Sequence, residues 1–116
     1  MLNIYVLEDH FIQQNRIEEV IHTILKKNNI KVGDFEVFDK PNQLLDFITE
    51  RGSHQLFFLD IQIKDDTKKG LEVAKQIRKS DPYANIVFFT THSEYLPLTF
   101  QYQLAALDFI DKSLEG

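Results

Sequence analysis

The run Leu56-Phe57-Phe58-Leu59-Asp60 decides how this chain is expected to fold. Its consecutive apolar residues lack the alternation of a half-exposed strand and are typical of a strand buried on both faces of a parallel sheet. Two similar runs, Leu2 to Leu7 and Ile86 to Phe89, lie on either side of it in the chain. We therefore predict a sheet whose central strands are covered on both faces by helices.

Apolar residues at helical spacing fill the segments between these runs. One helix is expected to pack in the core through a stripe that repeats every three or four residues, at Ile17, Val20, Ile21, Ile24 and Leu25. A second is expected to begin at Pro41, which suits a first helical turn, and to close at Arg51-Gly52. A third ends before Asp81-Pro82, and a weaker fourth covers Leu96 to Tyr102.

Two further short strands complete the alternation. Phe35 to Phe38 follows the first helix, and Ala105 to Ile110 follows the fourth. Five strands alternating with four helices indicate an α/β fold with parallel strands, joined by right-handed crossovers in a doubly wound sheet. If the strand order is 2-1-3-4-5, the first and third strands are neighbours within the sheet.

The composition is that of one globular domain. A chain of 116 residues, 43% hydrophobic and 27% charged, is long enough to bury a single core. Its formal charge of -5 argues against direct binding of nucleic-acid phosphates, because that affinity comes from clustered Lys and Arg. No apolar run approaches the roughly 20 residues that cross a bilayer, so no membrane partner is expected. The lack of cysteine excludes a disulfide framework and is compatible with a cytoplasmic location.

Polar residues stand at the predicted carboxyl ends of four strands. Glu8-Asp9 follow the first strand, Asp60 the third, Thr90 the fourth and Lys112 the fifth. Ligands of open parallel sheets bind beyond these ends, so three carboxylates are expected to converge on one pocket. Like charges this close need a neutralising cation, and Mg²⁺ suits a site of carboxylate and phosphate oxygens. Lys112 and Thr90 add a positive charge and a hydroxyl that can bind phosphate.

The same residues carry a resemblance that covers the whole chain. The acidic pair Glu8-Asp9, the lone Asp60, Thr90 and Lys112, each after its strand, resemble the receiver domains of bacterial two-component response regulators. The segments FLDIQ (58–62), THSE (91–94) and AALDFI (105–110) resemble more narrowly the accessory-gene-regulator and competence type. Those are peptide quorum-sensing regulators with a LytTR DNA-binding output domain. The family's fold is flavodoxin-like (CheY-like), with a five-stranded parallel sheet of order 2-1-3-4-5.

The resemblance implies a role for each of these residues. Asp60 is the phosphoacceptor that takes a phosphoryl group from a histidine kinase. Asp9 and Asp60 bind Mg²⁺ directly together with the backbone carbonyl of Gln62, and Glu8 acts mainly through water. Lys112 contacts the phosphoryl oxygens. The domain is thus expected to be a phosphoacceptor that assists its own phosphoryl transfer and dephosphorylation, and not an enzyme.

Switching and partners are implied in the same way. Thr90 moves to hydrogen-bond the phosphoryl group, and Phe109 repositions as an aromatic switch. The implied partners are a sensor histidine kinase and, on activation, a second copy in a homodimer. DNA is contacted only through an output domain that is absent from this chain. Because four residues follow Lys112, we expect residues 1–116 to be a receiver domain truncated before its fifth helix.

Other interpretations of these residues have weaker support. A phosphatase of the haloacid dehalogenase type also uses an Asp after an apolar strand, but its motif requires a second Asp where this chain has Gln62. No glycine-rich phosphate loop indicates a nucleotide-binding enzyme. His10 and His92 lie near the same strand ends without the spaced partners of a zinc site. The main alternative is a degenerate receiver that acts as a phosphorylation-independent interaction module.

Overall fold

A computed structural model describes residues 1–61, 63, 69–90 and 108–111. In chain order the elements are β1 (Leu2–Leu7), α1 (Phe11–Lys27), β2 (Val32–Phe38), α2 (Pro41–Phe47), β3 (Gln55–Asp60), α3 (Lys69–Ser80), β4 (Asn85–Thr90) and β5 (Asp108–Asp111). The helix predicted over Leu96 to Tyr102 lies outside the described residues. Among the helices described, none has the length and apolar character needed to cross a membrane.

The strands form a single parallel sheet in the order β2-β1-β3-β4-β5, which confirms the predicted topology. The registers of the central strands bring their carboxyl ends to one edge of the sheet. Leu7 pairs with Leu59, Asp60 with Phe89, and Thr90 with Asp111. The residues that follow β1 and β3 therefore leave the sheet side by side.

Both faces of the sheet are buried, which explains the unbroken apolar runs of its strands. The core on one face joins the strands to α2 and α3, and its largest buried side chains include Leu7, Leu44, Phe57, Leu59, Leu71 and Phe88. The core on the other face joins them to α1 and consists of Ile4, Val6, Ile17, Ile21 and Phe89. The helices thus cover the sheet from both sides, as the doubly wound interpretation requires.

Helix α1 buries a narrower stripe than its sequence predicts. Ile17 and Ile21 are buried, and Leu25 is partly buried against the same core. Val20 and Ile24, in contrast, are 39% and 51% exposed, so the prediction that the whole stripe packs in the core is wrong for these two residues. The reason is geometric, because one helix lying on a sheet contacts it along a limited arc and residues to one side of that arc stay in solvent.

Helix α2 ends earlier than predicted. It stops at Phe47, and the backbone of Ile48 is already extended, with φ -69° and ψ 118°. The chain after it makes bonds that a longer helix would prevent. The amide nitrogen of Gly52 donates to the carboxylate of Asp81 at 2.8 Å, and the Gln55 side chain donates to the carbonyl of Glu50 at 3.1 Å. The apolar spacing continued through Ile48 because this side chain still packs against the core.

A polar network lies at the amino ends of β1 and β3. Asn3 Nδ2 donates to Gln55 Oε1 at 2.8 Å, and both residues are buried. Asn3 Oδ1 accepts from the amide of Asp34 in β2 at 3.0 Å. A Cβ atom on Gly33 would lie 2.6 Å from this oxygen, so a side chain there would push the Asn3 amide out of its present position. The network ties three neighbouring strands together and was not anticipated from the sequence.

Strand β2 forms one edge of the sheet. Asp34 and Glu36 in this strand are exposed, while Val37 and Phe38 are partly buried. The outer edge of the sheet that β2 forms therefore carries acidic side chains, separate from those at the carboxyl ends of the strands.

Candidate metal centre and phosphoacceptor site

The turn from β1 into α1 holds the acidic pair Glu8-Asp9. Glu8 is 1% exposed, and its amide nitrogen continues the sheet by donating to the carbonyl of Phe38 at 3.0 Å. Its carboxylate accepts a hydrogen bond from the amide of His10 at 3.1 Å, and Asp9 is partly buried beside it. The turn thus presents two acids at the carboxyl end of β1.

Asp60 is the last residue of β3 and is 3% exposed. Since Leu7 and Leu59 are the last paired residues of β1 and β3, Glu8 and Asp60 follow directly from neighbouring positions in the sheet. One carboxylate oxygen from each of Glu8, Asp9 and Asp60 can be chosen so that all three lie within 4.8 Å of one another. The structure therefore brings together the three acids that the sequence places at these strand ends.

Three carboxylates this close suit a hard cation. Bringing like charges within a few ångström into a buried site is unfavourable, and a divalent ion relieves that repulsion. The donors are all oxygen atoms, the type that Mg²⁺ prefers, and a Mg²⁺ site uses few protein carboxylates because the ion keeps part of its water shell. The residues present thus fit a magnesium ion.

Helix α3 begins directly against the backbone of Asp60. The amide nitrogen of Gly70 donates to the carbonyl of Ile61 at 2.7 Å. A Cβ atom at Gly70 would lie 2.7 Å from the carbonyl carbon of Asp60 and closer still to its oxygen. Glycine is therefore required for α3 to approach the end of β3 this closely. This contact was not predicted from the sequence, where the small residue just before an apolar helix stripe was its only signal.

The remaining predicted site residues are described in part or not at all. Thr90 ends β4, and Phe109 lies in β5 opposite Phe88, but the side chains of both lie outside what the structure describes. Gln62, Lys112 and His92 also lie outside the described residues. His10 precedes α1 at the same edge, and its backbone amide, as noted above, bonds the Glu8 carboxylate. The roles predicted for Thr90, Phe109, Gln62 and Lys112 therefore stay predictions.

The chain is similar to known proteins over almost its whole length. Residues 4–116 match the sequence model of the response regulator receiver domain. The chain is 35% identical over 111 residues to accessory gene regulator protein A of Staphylococcus epidermidis and 33% identical to that of Staphylococcus aureus. Each alignment covers 96% of this chain and 46% of the relative, so the chain spans about half the length of these curated relatives.

Solved structures share the fold. The response regulatory domain of the protein mrkE from Klebsiella pneumoniae aligns with a TM-score of 0.72 and 25% identity, over 96% of this chain and 83% of that one. The response regulator TrrA from Thermotoga maritima, solved in complex with Mg²⁺ and BeF, aligns with a TM-score of 0.65 and 25% identity, over 97% and 87% of the two chains. The predicted resemblance is confirmed, and the chain belongs to the response regulator receiver domain family.

Proposed function

We propose that this domain accepts a phosphoryl group on Asp60 from a sensor histidine kinase, with Mg²⁺ bound at the same site. The observation that carries the proposal is the approach of carboxylate oxygens from Glu8, Asp9 and Asp60 to within 4.8 Å of one another. Asp60 is the one of the three that ends a strand at the centre of the sheet. Family membership and the Mg²⁺ complex of the similar TrrA structure support the assignment.

In this proposal each residue has a distinct task. A carboxylate oxygen of Asp60 attacks phosphorus, a new P–O bond forms, and the bond from phosphorus to the donor breaks. Asp9 and Asp60, with the backbone carbonyl of Gln62, would hold Mg²⁺ directly, and Glu8 would act through water. The ion supplies charge neutralisation for the incoming phosphoryl oxygens when bound. Lys112 contacts those oxygens as a positive charge.

The response to phosphorylation is assigned to β4 and β5. Thr90 hydrogen-bonds the phosphoryl group, and Phe109 changes position with it. The two strands are paired, Thr90 with Asp111 and Phe88 with Phe109. A displacement of the backbone at the end of β4 would therefore also displace the backbone of β5. Phosphorylation then favours one of two pre-existing conformations, in the manner of a population shift.

The proposal extends to the whole regulator. We infer that this receiver belongs to a cytoplasmic, quorum-sensing transcription regulator like the accessory gene regulator proteins that it resembles. Residues 1–116 are proposed to be the receiver portion, and a LytTR-type output domain outside this chain would contact DNA. Activation would proceed through a homodimer.

Intact mass spectrometry after incubation with acetyl phosphate tests the proposal. We expect one phosphoryl adduct that requires Mg²⁺, is released by hydroxylamine as an acyl phosphate should be, and is absent from the variant Asp60→Asn. The matched control is Asp46→Asn, the same chemical change at an exposed position of α2, which should leave the adduct intact. Binding of Mg²⁺ without any adduct would contradict the phosphoacceptor role. Loss of both would favour the phosphorylation-independent interaction module.

A further inference from the structure

Gln14 joins the first turn of α1 to the acidic pair of the site. Its backbone nitrogen donates to the carbonyl of His10 at 2.9 Å, which is the first hydrogen bond of the helix. Its side-chain Nε2 reaches back and donates to the backbone carbonyl of Glu8 at 2.5 Å. The side chain thus spans the turn that carries Glu8 and Asp9.

This hydrogen bond restrains the peptide group that joins Glu8 to Asp9. The Glu8 carbonyl belongs to the peptide between Glu8 and Asp9, so a donor at that oxygen fixes the plane of the peptide. The other side of Glu8 is fixed by β2, because its amide donates to Phe38 at 3.0 Å. The Glu8 carboxylate in turn accepts from the amide of His10 at 3.1 Å. Glu8 is therefore held through its amide, its carbonyl and its side chain.

Such restraint matters because the acids it holds repel one another. Carboxylates that share a buried pocket move apart when nothing holds them, and a metal site gains affinity when its ligands are held in place before the ion arrives. Groups that hydrogen-bond to metal ligands without touching the metal often change its affinity by about 10- to 100-fold when removed. Gln14 reaches the acidic pair through the backbone and does not itself offer a carboxylate.

We propose that Gln14 is a positioning residue that pre-arranges Glu8 and Asp9 for Mg²⁺, an inference that rests on the proposed function of the site. The side-chain amide serves as a clamp across the β1–α1 turn, from the first turn of the helix to the Glu8–Asp9 peptide. The receiver would then bind Mg²⁺ with ligands already oriented, and phosphorylation of Asp60 would depend on Gln14 through the ion.

The test compares Gln14→Leu, which removes the donor without adding charge, with Gln13→Leu in the same helical turn. The Mg²⁺ dissociation constant is measured by calorimetric titration, and far-UV circular dichroism without Mg²⁺ verifies that each variant is folded at the assay temperature. We expect Gln14→Leu to weaken Mg²⁺ binding about 10-fold and Gln13→Leu to stay within about twofold of the unaltered chain. The pair Gln14→Met and Gln13→Met, which also removes the donor without adding charge, repeats the comparison and the expected difference of about 10-fold should either leucine variant fail to fold.

A second measurement separates positioning from general damage. If Gln14 acts through the ion, the rate of phosphorylation by acetyl phosphate in Gln14→Leu should return to the unaltered rate when Mg²⁺ is raised in proportion to its weaker binding. Suppose that the unaltered chain binds Mg²⁺ and is phosphorylated, but the two leucine variants bind Mg²⁺ with equal affinity. That result would overturn the positioning role of Gln14 and leave the proposed function intact. An unaltered chain that binds no Mg²⁺ would overturn both.

Discussion

Strands β1 and β3 lie side by side in the sheet, and polar side chains are buried at both of their ends. At the amino ends, Asn3 and Gln55 bond each other at 2.8 Å and are electrically neutral. At the carboxyl ends, Glu8, Asp9 and Asp60 bring three carboxylates within 4.8 Å. Amide groups can donate and accept, so they can bond one another, whereas ionised carboxylates only accept and repel one another unless donors or a cation lie between them.

The difference teaches which buried polar groups serve stability and which serve binding. The amide pair, whose remaining groups bond to the neighbouring backbone, fixes how the strands align at little electrostatic cost, because each group keeps a hydrogen-bond partner. A cluster of like charges lowers stability unless a ligand neutralises it, and such local conflicts are expected at functional sites. Substitutions that remove one of these polar side chains should therefore lower stability at the amino ends and raise it at the carboxyl ends when no metal is bound.

The largest effect is expected where the carboxyl end meets α3. Gly70→Ala would place a Cβ against the backbone of Asp60, which cannot move as a flexible side chain could. We expect a loss of about 3 kcal/mol in the free energy of unfolding, measured by urea denaturation, since the helix must shift to relieve the overlap. The neighbouring Lys69→Ala, at a partly exposed side chain, should change it by less than about 0.5 kcal/mol. Equal stability of the two variants would show that α3 does not depend on this close approach.

The next largest effect tests the amino end. Asn3→Ala removes the partner of Gln55 and of the Asp34 amide and should lower the free energy of unfolding by about 2 kcal/mol, because buried polar groups lose hydrogen bonds. Asn15→Ala, at an exposed position in α1, is the control and should be nearly neutral. Phosphorylation of the Asn3 variant, measured well below its unfolding midpoint, should be unchanged. A defect there would mean that the two ends are coupled through the strands.

A smaller effect of opposite sign is expected at the carboxyl end. Asp60→Asn removes one of three clustered charges and should raise the free energy of unfolding without Mg²⁺ by about 1 kcal/mol, the order expected for two charges about 5 Å apart in a well-screened site. Mg²⁺ should then stabilise the unaltered chain but hardly affect the variant, since a ligand stabilises only the state that binds it. Asp46→Asn should retain the full Mg²⁺ response. A less stable Asp60→Asn would contradict the view that this end conflicts with stability.

The smallest effect concerns Tyr5, which is buried and stacks on Phe57 with ring centroids 5.1 Å apart. Burial raises the pKa of its hydroxyl, partly opposed by a hydrogen bond with Gln55. Because the folded-state pKa is the higher one, this contribution to stability is complete below the unfolded value of about 10 and is lost as pH rises through the folded value. Tyr5→Phe should therefore reduce the loss of stability between pH 8 and 11, by less than about 1 kcal/mol. Tyr83→Phe, at a 74% exposed position, should leave the pH profile unchanged, and identical profiles for both variants would exclude Tyr5 as its source.

The carboxyl end could be predicted from the sequence far better than the amino end. Apolar runs such as Leu56 to Leu59 mark where strands lie, and parallel pairing then forces Glu8 and Asp60 to the same edge. The pair Asn3 and Gln55 joins residues 52 positions apart, and neither has a motif around it. Its only signal was a polar residue inside one apolar run and another directly before the next.

The apolar spacing within a helix showed that a helix is present, but it was a poorer guide to which of its side chains contact the rest of the protein. Val20 and Ile24 share the spacing of Ile17 and Ile21 but remain exposed, since spacing alone does not fix how wide an arc the sheet covers. The Gln14 side chain reaches the backbone of Glu8 and not another side chain, so no residue pattern could have indicated it. Contacts to backbone atoms depend on the path of the turn and become visible only in three dimensions.

The acidic side chains of the edge strand β2 also bear on assembly. A sheet edge offers unpaired backbone groups to any other strand, and charged residues there discourage that pairing. If two copies paired through β2 about a two-fold axis at Phe35, Asp34 of one copy would lie opposite Glu36 of the other, and like charges directly opposite destabilise strand pairs. The acidic β2 edge thus disfavours extension of the sheet by further copies, and an association of two copies is expected to use a different surface.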